Sequence, residues 1–348
     1  MGKVKPILII IITVILIAIV YFVRQKPPAQ KIKSPVKTIL PDIRYSAWIP
    51  DWEEARSLDS IENGSASKLG QILPVWYTLD SSGGINENLT KNSGLILETA
   101  KAKGIKVTPT IVNTGTNGFD PNRVTQMLDT NNENAINYLV DTAQKRKYDG
   151  WDLDFENLSK QDRGKYTLFV KNLSEKLHSK RLTLSVTVHS QETEKDNWKG
   201  VLGQDIENLG KYSDQIRIMA YDFHNTDTVA GPITPILDLE KTIKFTISKV
   251  DPAKIVIGLP TYGYDWENRG NTTPYQYKEI KALLELKRAN VVRDIDTGEL
   301  KSSYENHQIW YLDAASLLKL KEIVNSYEID KICFWHLGGE DERIWGKL

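Results

Sequence analysis

Cysteine is nearly missing from this chain: of 348 residues only Cys333 carries a thiol, so no disulfide can form within it. It lies in the apolar run Ile332-Cys333-Phe334 and reads as a small buried hydrophobe rather than a nucleophile. An excess of one charge is missing too, because 45 Lys and Arg balance 45 Asp and Glu. Nucleic-acid binding asks for a basic domain, so this balance removes the usual electrostatic argument for that partner, and none is expected. No G-x-S-x-G elbow and no Walker P-loop occurs, which removes the commonest serine-hydrolase and phosphoryl-transfer readings. His189, His224 and His336 are not spaced as a metal pair of the H-E-x-x-H kind, so no metal and no cofactor is expected.

Long hydrophobic runs are likewise scarce, with one exception at the N-terminus. Ile7 to Val23 is apolar except for Thr13 and Tyr21, and is flanked by Lys3, Lys5, Arg24 and Lys26. A cleaved signal peptide would have a shorter apolar core and a small-x-small site after it. Neither is present, so residues 1–23 are expected to be an uncleaved membrane anchor, at the short end for a spanning helix. Residues 24–43, with Pro27, Pro28, Pro35 and Pro41 among lysines, read as a semi-rigid linker. Extended, such a spacer reaches about 60 Å at roughly 3.1 Å per residue. More Lys and Arg follow the apolar segment than precede it, which by charge count would keep the domain in the cytoplasm.

What the chain does have is the segment Asp149-Gly150-Trp151-Asp152-Leu153-Asp154-Phe155-Glu156. As a strand it alternates with period two, placing Trp151, Leu153 and Phe155 on one face. Asp152, Asp154 and Glu156 then share the other, with neighbours about 6.6 Å apart along the backbone. Three acids so close cannot all ionise freely, so at least one is pushed up. A raised carboxyl beside an ionised one can protonate a leaving group near neutral pH. A solvated edge strand and a hard-cation site are the alternatives. An EF-hand counted from Asp152 would need Gly at the sixth position and Glu at the twelfth, which hold Asn157 and Arg163.

From Tyr45 onward, short β-rich runs alternate with helical patterns. Strands are expected at Tyr45–Pro50, Ile72–Leu79, Lys106–Val112, Gly150–Glu156, Thr183–Val188, Gln215–Tyr221, Ile255–Pro260 and Lys331–Trp335. Ala135, Ile136, Leu139, Val140 and Ala143 form one helical stripe, and Tyr166, Phe169, Leu173 and Leu177 another. This is the pattern of a (β/α)8 TIM barrel over residues 44–348. A doubly wound sheet is the runner-up, though its G-x-G-x-x-G is missing. Residues 263–312 break the rhythm and read as a small α+β insertion between strands seven and eight, with a helix Tyr277–Ala289 and a hairpin at Asp296-Thr297-Gly298.

The octapeptide resembles D-G-x-D-x-D-x-E, the signature of glycoside hydrolase family 18 (chitinases and related N-acetylglucosaminidases), at every fixed position. Tyr45-Ser-Ala-Trp-Ile-Pro50, Met219-Ala-Tyr-Asp222, Gly258-Leu-Pro-Thr-Tyr-Gly-Tyr-Asp-Trp266 and Phe334-Trp335 follow in the family's order. Tyr-Gly-Tyr-Asp-Trp266 and Gln308-Ile-Trp-Tyr311 look most like the bacterial branch with spore-cortex and cell-wall glycosidases. The resemblance implies hydrolysis of an N-acetylglucosamine glycan, peptidoglycan or chitin, by a monomer whose catalytic domain lies outside the membrane. It implies Glu156 as general acid, Asp154 as orienter of the substrate acetamide, Asp152 beneath it, and Tyr221 as donor to the acetamide oxygen. Trp335 would floor the sugar site, with Asp222 beside it.

Each of these positions also has a plain structural reading. Tyr221 could simply end a strand, and Asp222 could cap the following turn. Asp149 reads as structural. Tyr45, Trp48 and Trp76 could be sugar platforms or core, and Asn113 could contact substrate. A lectin that shares the fold but has lost the acid is the competing class, as is a tethered scaffold. Glu156 and both aspartates are present and favour the hydrolase.

Overall fold

Alternation within the strands decides the architecture. In the computed structural model, which describes residues 44–193, 198–268 and 270–348, eight parallel strands close into a barrel. They are β1 (Tyr45–Ile49), β2 (Gln71–Leu79), β3 (Lys106–Val107 resuming at Thr110–Val112) and β4 (Gly150–Asp154). β5 (Thr183–His189), β6 (Gln215–Met219), β7 (Ile255–Pro260) and β8 (Ile332–Trp335) complete the ring. Closure comes from β1, which pairs with β2 at Ser46↔Gln71 and with β8 at Tyr45↔Ile332. The doubly wound alternative would leave edges open, and is thereby set aside.

Outward-pointing residues pack against the helices. Trp151, Leu153 and Phe155 of and after β4 are fully buried there, with Tyr166, Phe169, Leu173 and Leu177 of helix Arg163–Ser179. The inward face is different. Trp48, Leu73, Val256 and Cys333 form a small apolar cluster inside the barrel, packed against Trp335. Around it lie buried polar side chains, Ser46, Gln71, Thr110, Asp152, Ser185, Thr187 and Arg217. At the base, a Cβ on Gly150 would fall 2.2 Å from the carbonyl oxygen of Thr183, so only glycine fits there. Asp149 accepts from the Val107 N–H at 2.9 Å and from Lys106 Nζ at 2.8 Å, a structural tie at this lower end.

Three strands depart from expectation. β4 and β6 stop at Asp154 and Met219, two residues before Glu156 and Tyr221. The next residues after those two, Asn157 and Asp222, both take φ near +60° and turn the chain out of the sheet. β3 is interrupted at Thr108-Pro109, where proline has no N–H for the ladder.

The insertion holds more strand than expected. Tyr262–Glu267, Thr272–Gln276, Val291–Arg293, Leu300–Tyr304 and His307–Tyr311 form a five-stranded antiparallel sheet. Helix Tyr277–Lys287 covers it, and Gly298 at φ 78° makes the hairpin turn. Among the described residues no helix is long and apolar enough to cross a membrane. The anchor and linker expected over residues 1–43 lie outside the described residues.

Candidate active site

β4 brings the acids to the C-terminal mouth, where barrel enzymes place their chemistry. Asp152 is fully buried on the inward face, Asp154 is 8% exposed above it, and Glu156 is half-buried at the rim. Asp152 accepts hydrogen bonds from Trp48 Nε1 (3.2 Å), Thr110 Oγ1 (3.1 Å), Ser185 Oγ (2.5 Å) and Thr187 Oγ1 (3.1 Å). Asp154 is its opposite: Oδ1 is buried without a hydrogen-bond partner. Burial first, then the charges of Glu156 and Asp152, push its carboxyl well above the usual carboxylate range.

Glu156 is held through its backbone. Asn113 Oδ1 accepts its N–H at 2.9 Å, and Asn113 Nδ2 donates to its carbonyl at 3.0 Å. On the other side Gln204 donates to the carbonyl of Phe155 at 3.1 Å and accepts the N–H of His189 at 3.1 Å. The Glu156 carboxylate therefore projects from a peptide fixed on both flanks. His189 Nε2 lies 3.2 Å from Glu156 Oε2, off the line of a hydrogen bond.

Tyr221 and Asp222 close the site from β6. Burial, then the charges of Asp154, Asp222 and Glu156, push the Tyr221 hydroxyl far up, so it stays a donor. Asp222 accepts from the hydroxyls of Tyr262 and Tyr264, both on the insertion. Burial raises its carboxyl, those two hydroxyls oppose the rise, and Glu156 adds to it. Trp335 ends β8 half-buried, edge-on to Trp48 at 6.1 Å and to the exposed Trp52 at 6.4 Å. The Trp335–His336 peptide is cis.

Asp154, Glu156, Tyr221, Asp222 and Trp335 line one cavity of ≈ 590 Å³, with His189, Trp198 and Phe119 on its walls. A second hollow of ≈ 400 Å³ shares Asp222 and Trp335 and runs toward Trp52, Tyr262, Tyr264 and Gln276. The two form an elongated cleft, suited to a chain-like ligand.

The remaining candidates fall elsewhere. Tyr45 starts β1 at the opposite end of the barrel and faces outward, under Lys321 Nζ at 5.9 Å. Trp76 is 1% exposed, tilted against Tyr148 at 6.0 Å and bonded to Glu54 in the outer layer. Neither can meet a sugar in the cleft. Trp48 is 2% exposed and serves Asp152 from inside the barrel. Asn113 is fully buried and acts on the Glu156 peptide instead of on a ligand. His189, Trp198 and Gln204 join the site without a motif to mark them. His189 was findable, since it stands in phase with Ser185 and Thr187 on β5. Trp198 and Gln204 follow no periodic pattern.

The fold superposes on the crystal structure of a chitinase from Chromobacterium violaceum ATCC 12472 with TM-score 0.81 and 24% identity, over 87% of this chain and 97% of that one. Among sequences, glycosylase YdhD of Bacillus subtilis (strain 168) is 29% identical over 277 residues, 75% of this chain and 64% of that protein. The cortical fragment-lytic enzyme of Bacillus anthracis is 25% identical over 223 residues, 61% of this chain and 52% of the enzyme. These two matches thus span about half to two thirds of the relatives' own lengths. The model of glycosyl hydrolases family 18 matches residues 75–341, and with Asp154, Glu156, Tyr221 and Trp335 gathered in one cleft, the chain belongs to that family.

Proposed function

We propose that this protein is a retaining, substrate-assisted glycosidase cleaving β-1,4 bonds of an N-acetylglucosamine-containing glycan. The observation that carries the reading is the cavity that Asp154, Glu156 and Tyr221 line together with Trp335. Family 18 is among the exceptions to the two-carboxylate scheme, and no second carboxylate is asked to attack the sugar. Glu156, on its clamped peptide, gives its proton to the glycosidic oxygen. The substrate's 2-acetamido oxygen bonds to C1 as the C1–O bond to the leaving sugar breaks, giving an oxazolinium ion. Asp154 accepts a hydrogen bond from the acetamide N–H, the negative charge of the acid column offsets the oxazolinium, and the Tyr221 hydroxyl donates to the acetamide oxygen. Water then attacks C1 as the C1–O bond to the acetamide oxygen breaks, Glu156 takes the water's proton, the acetamide is regenerated, and configuration is retained.

Two features outside this chemistry support a choice of glycan class. Relatives include cortical fragment-lytic enzymes, and the apolar run Ile7–Val23 would tether the barrel beside a cell wall with its mouth outside the membrane. Both favour peptidoglycan-type glycan over chitin. Purified peptidoglycan and chitooligosaccharides, digested side by side with mass spectrometry of the products, test this. Peptidoglycan fragments ending in N-acetylglucosamine are expected. Binding without any cleavage of either would make the protein a lectin of this fold.

A further inference from the structure

Arg217 lies outside the acidic signature and has no place in the reaction just described. It is fully buried inside the barrel, on β6, in phase with Tyr221. Its guanidinium donates to Ser185 Oγ (3.2 Å), Ser46 Oγ (2.9 Å), Gln71 Oε1 (2.8 Å) and Gln215 Oε1 (2.7 Å). All four acceptors are neutral. The negative charge facing it is Asp152, whose Oδ1 is 3.6 Å from Arg217 Nε.

The bond directions inside this network are determined by what each group can do. Arginine can only donate, so Ser185 Oγ accepts from it and must send its own proton onward. That proton points at Asp152 Oδ1, 2.5 Å away. Trp48 Nε1 can also only donate, and it too points at Asp152. Of the four groups around Asp152, Trp48 Nε1 and the Arg217-bound Ser185 hydroxyl can only donate to it, while the Thr110 and Thr187 hydroxyls can donate or accept. Asp154, one step up the same face, receives no such bonds at Oδ1.

The other titratable groups around Asp152 do not alter this asymmetry. Cys333 on β8 is a thiol pushed up to about 12 by burial, hence neutral. Tyr166 of the helix Arg163–Ser179 and Tyr221 beyond β6 are hydroxyls driven well up by burial, hence neutral. From β1, β2, β3 and β5 come Ser46, Trp48, Gln71, Thr110, Ser185 and Thr187, none of them charged. Asp154 and Glu156 stand above on β4's own face.

Resting on the glycosidase reading, we propose that Arg217 is a positioning residue that holds Asp152 as the anion of the column, directly and through Ser185, so that the proton shared by the three acids stays on Asp154 and Glu156, beside the substrate. Without Arg217 the lower aspartate competes for that proton. A proton seated on Asp152 removes the negative charge that helps Asp154 keep its own, and Asp154 then titrates at lower pH.

The test uses the full chain with 13C-carboxyl aspartate, the Asp154 resonance being assigned with D154N, and reads titration without turnover. R217M is expected to move the Asp154 titration down by about one pH unit or more, the scale of a lost like-charge neighbour. R217K, which keeps the charge, is expected to stay near wild type. The basic limb of the kcat profile should shift with it, with KM little changed. If R217M does not fold, S185A removes the relay while leaving Arg217 in place, and should give a smaller downward shift that S185T restores. A folded R217M or S185A whose Asp154 titration is unchanged or raised overturns the proposal, as does R217K behaving like R217M. Absence of any glycosidase activity in the wild type would fail the functional reading instead, and the resonance would still decide the role of Arg217.

Discussion

Asn113 grips the peptide of Glu156 from both sides, its Oδ1 taking the N–H at 2.9 Å and its Nδ2 reaching the carbonyl at 3.0 Å. The same Nδ2 also donates to the carbonyl of Asp120 at 3.1 Å, tying in the loop after β3. Asn113→Ala should therefore lower stability by about 1–3 kcal/mol, the range for leaving buried polar groups unpaired. Because the acid's backbone would be released, kcat should fall by more than KM changes. Thermal melting and initial-rate kinetics on the variant check both; unchanged kcat with reduced stability would restrict Asn113 to packing.

Glu156→Gln should abolish hydrolysis while leaving fold and glycan binding intact. The amide is nearly isosteric but has no acidic proton to give, and general acid catalysis contributes roughly 10²- to 10⁴-fold. Turnover within a few-fold of wild type on any cleaved glycan would remove Glu156 from the acid's role.

Glu299 links the insertion to the loop that follows Asp222. Fully buried, it accepts the N–H groups of Ile233 (2.8 Å) and Thr234 (2.7 Å). Burial pushes its carboxyl up to about 7, and the two backbone bonds only partly offset this. A carboxyl raised in the folded state contributes stability fully below its unfolded value of 4.5, and loses it as pH rises through about 7. The protein should thus lose on the order of 3 kcal/mol between pH 4.5 and 8 from this group. Glu299→Gln, which cannot ionise and keeps only one acceptor oxygen for the two N–H groups, should be less stable at low pH and should flatten that part of the stability profile. Denaturant unfolding at several pH values, wild type against variant, measures the difference; parallel profiles would show that Glu299 does not titrate there.

The barrel was readable because its strands alternate strictly. Trp151, Leu153 and Phe155 had to face helices, and the three acids had to face the interior. The same parity, applied to β1, separates Tyr45, in phase with Ala47 and Ile49, from Trp48, in phase with Ser46. Aromatic character alone does not carry that distinction. The five-stranded insertion was less legible because Tyr262–Glu267 begins two residues after β7 with no turn signal between. Gly263 there lets the backbone pass close to Tyr311, a contact no local pattern announces. The role of Asn113 has no local signal for a related reason: its partner is a peptide 43 residues downstream.

The substrate-assisted step makes the sharpest demand on the chemistry. If the acetamide is the nucleophile, a free amine at the cleaved position should abolish cleavage, however well the glycan binds. An ammonium has no carbonyl oxygen to reach C1, and Asp154 and Tyr221 lose the group they are proposed to hold. Well-oriented intramolecular attack reaches effective molarities of roughly 10⁵ M or more, so residual binding in the cleft could not mask the loss. A thiazoline analogue of the cyclised sugar should inhibit, since it resembles the state the site is proposed to stabilise. It should bind Glu156→Gln as well, because the acid proton is spent before that state forms. The measurements are product analysis on matched acetylated and deacetylated oligosaccharides, and inhibition constants for the thiazoline. Efficient hydrolysis of fully deacetylated glycan, with indifference to the thiazoline, would exclude the acetamide as nucleophile while leaving the barrel and its acid in place.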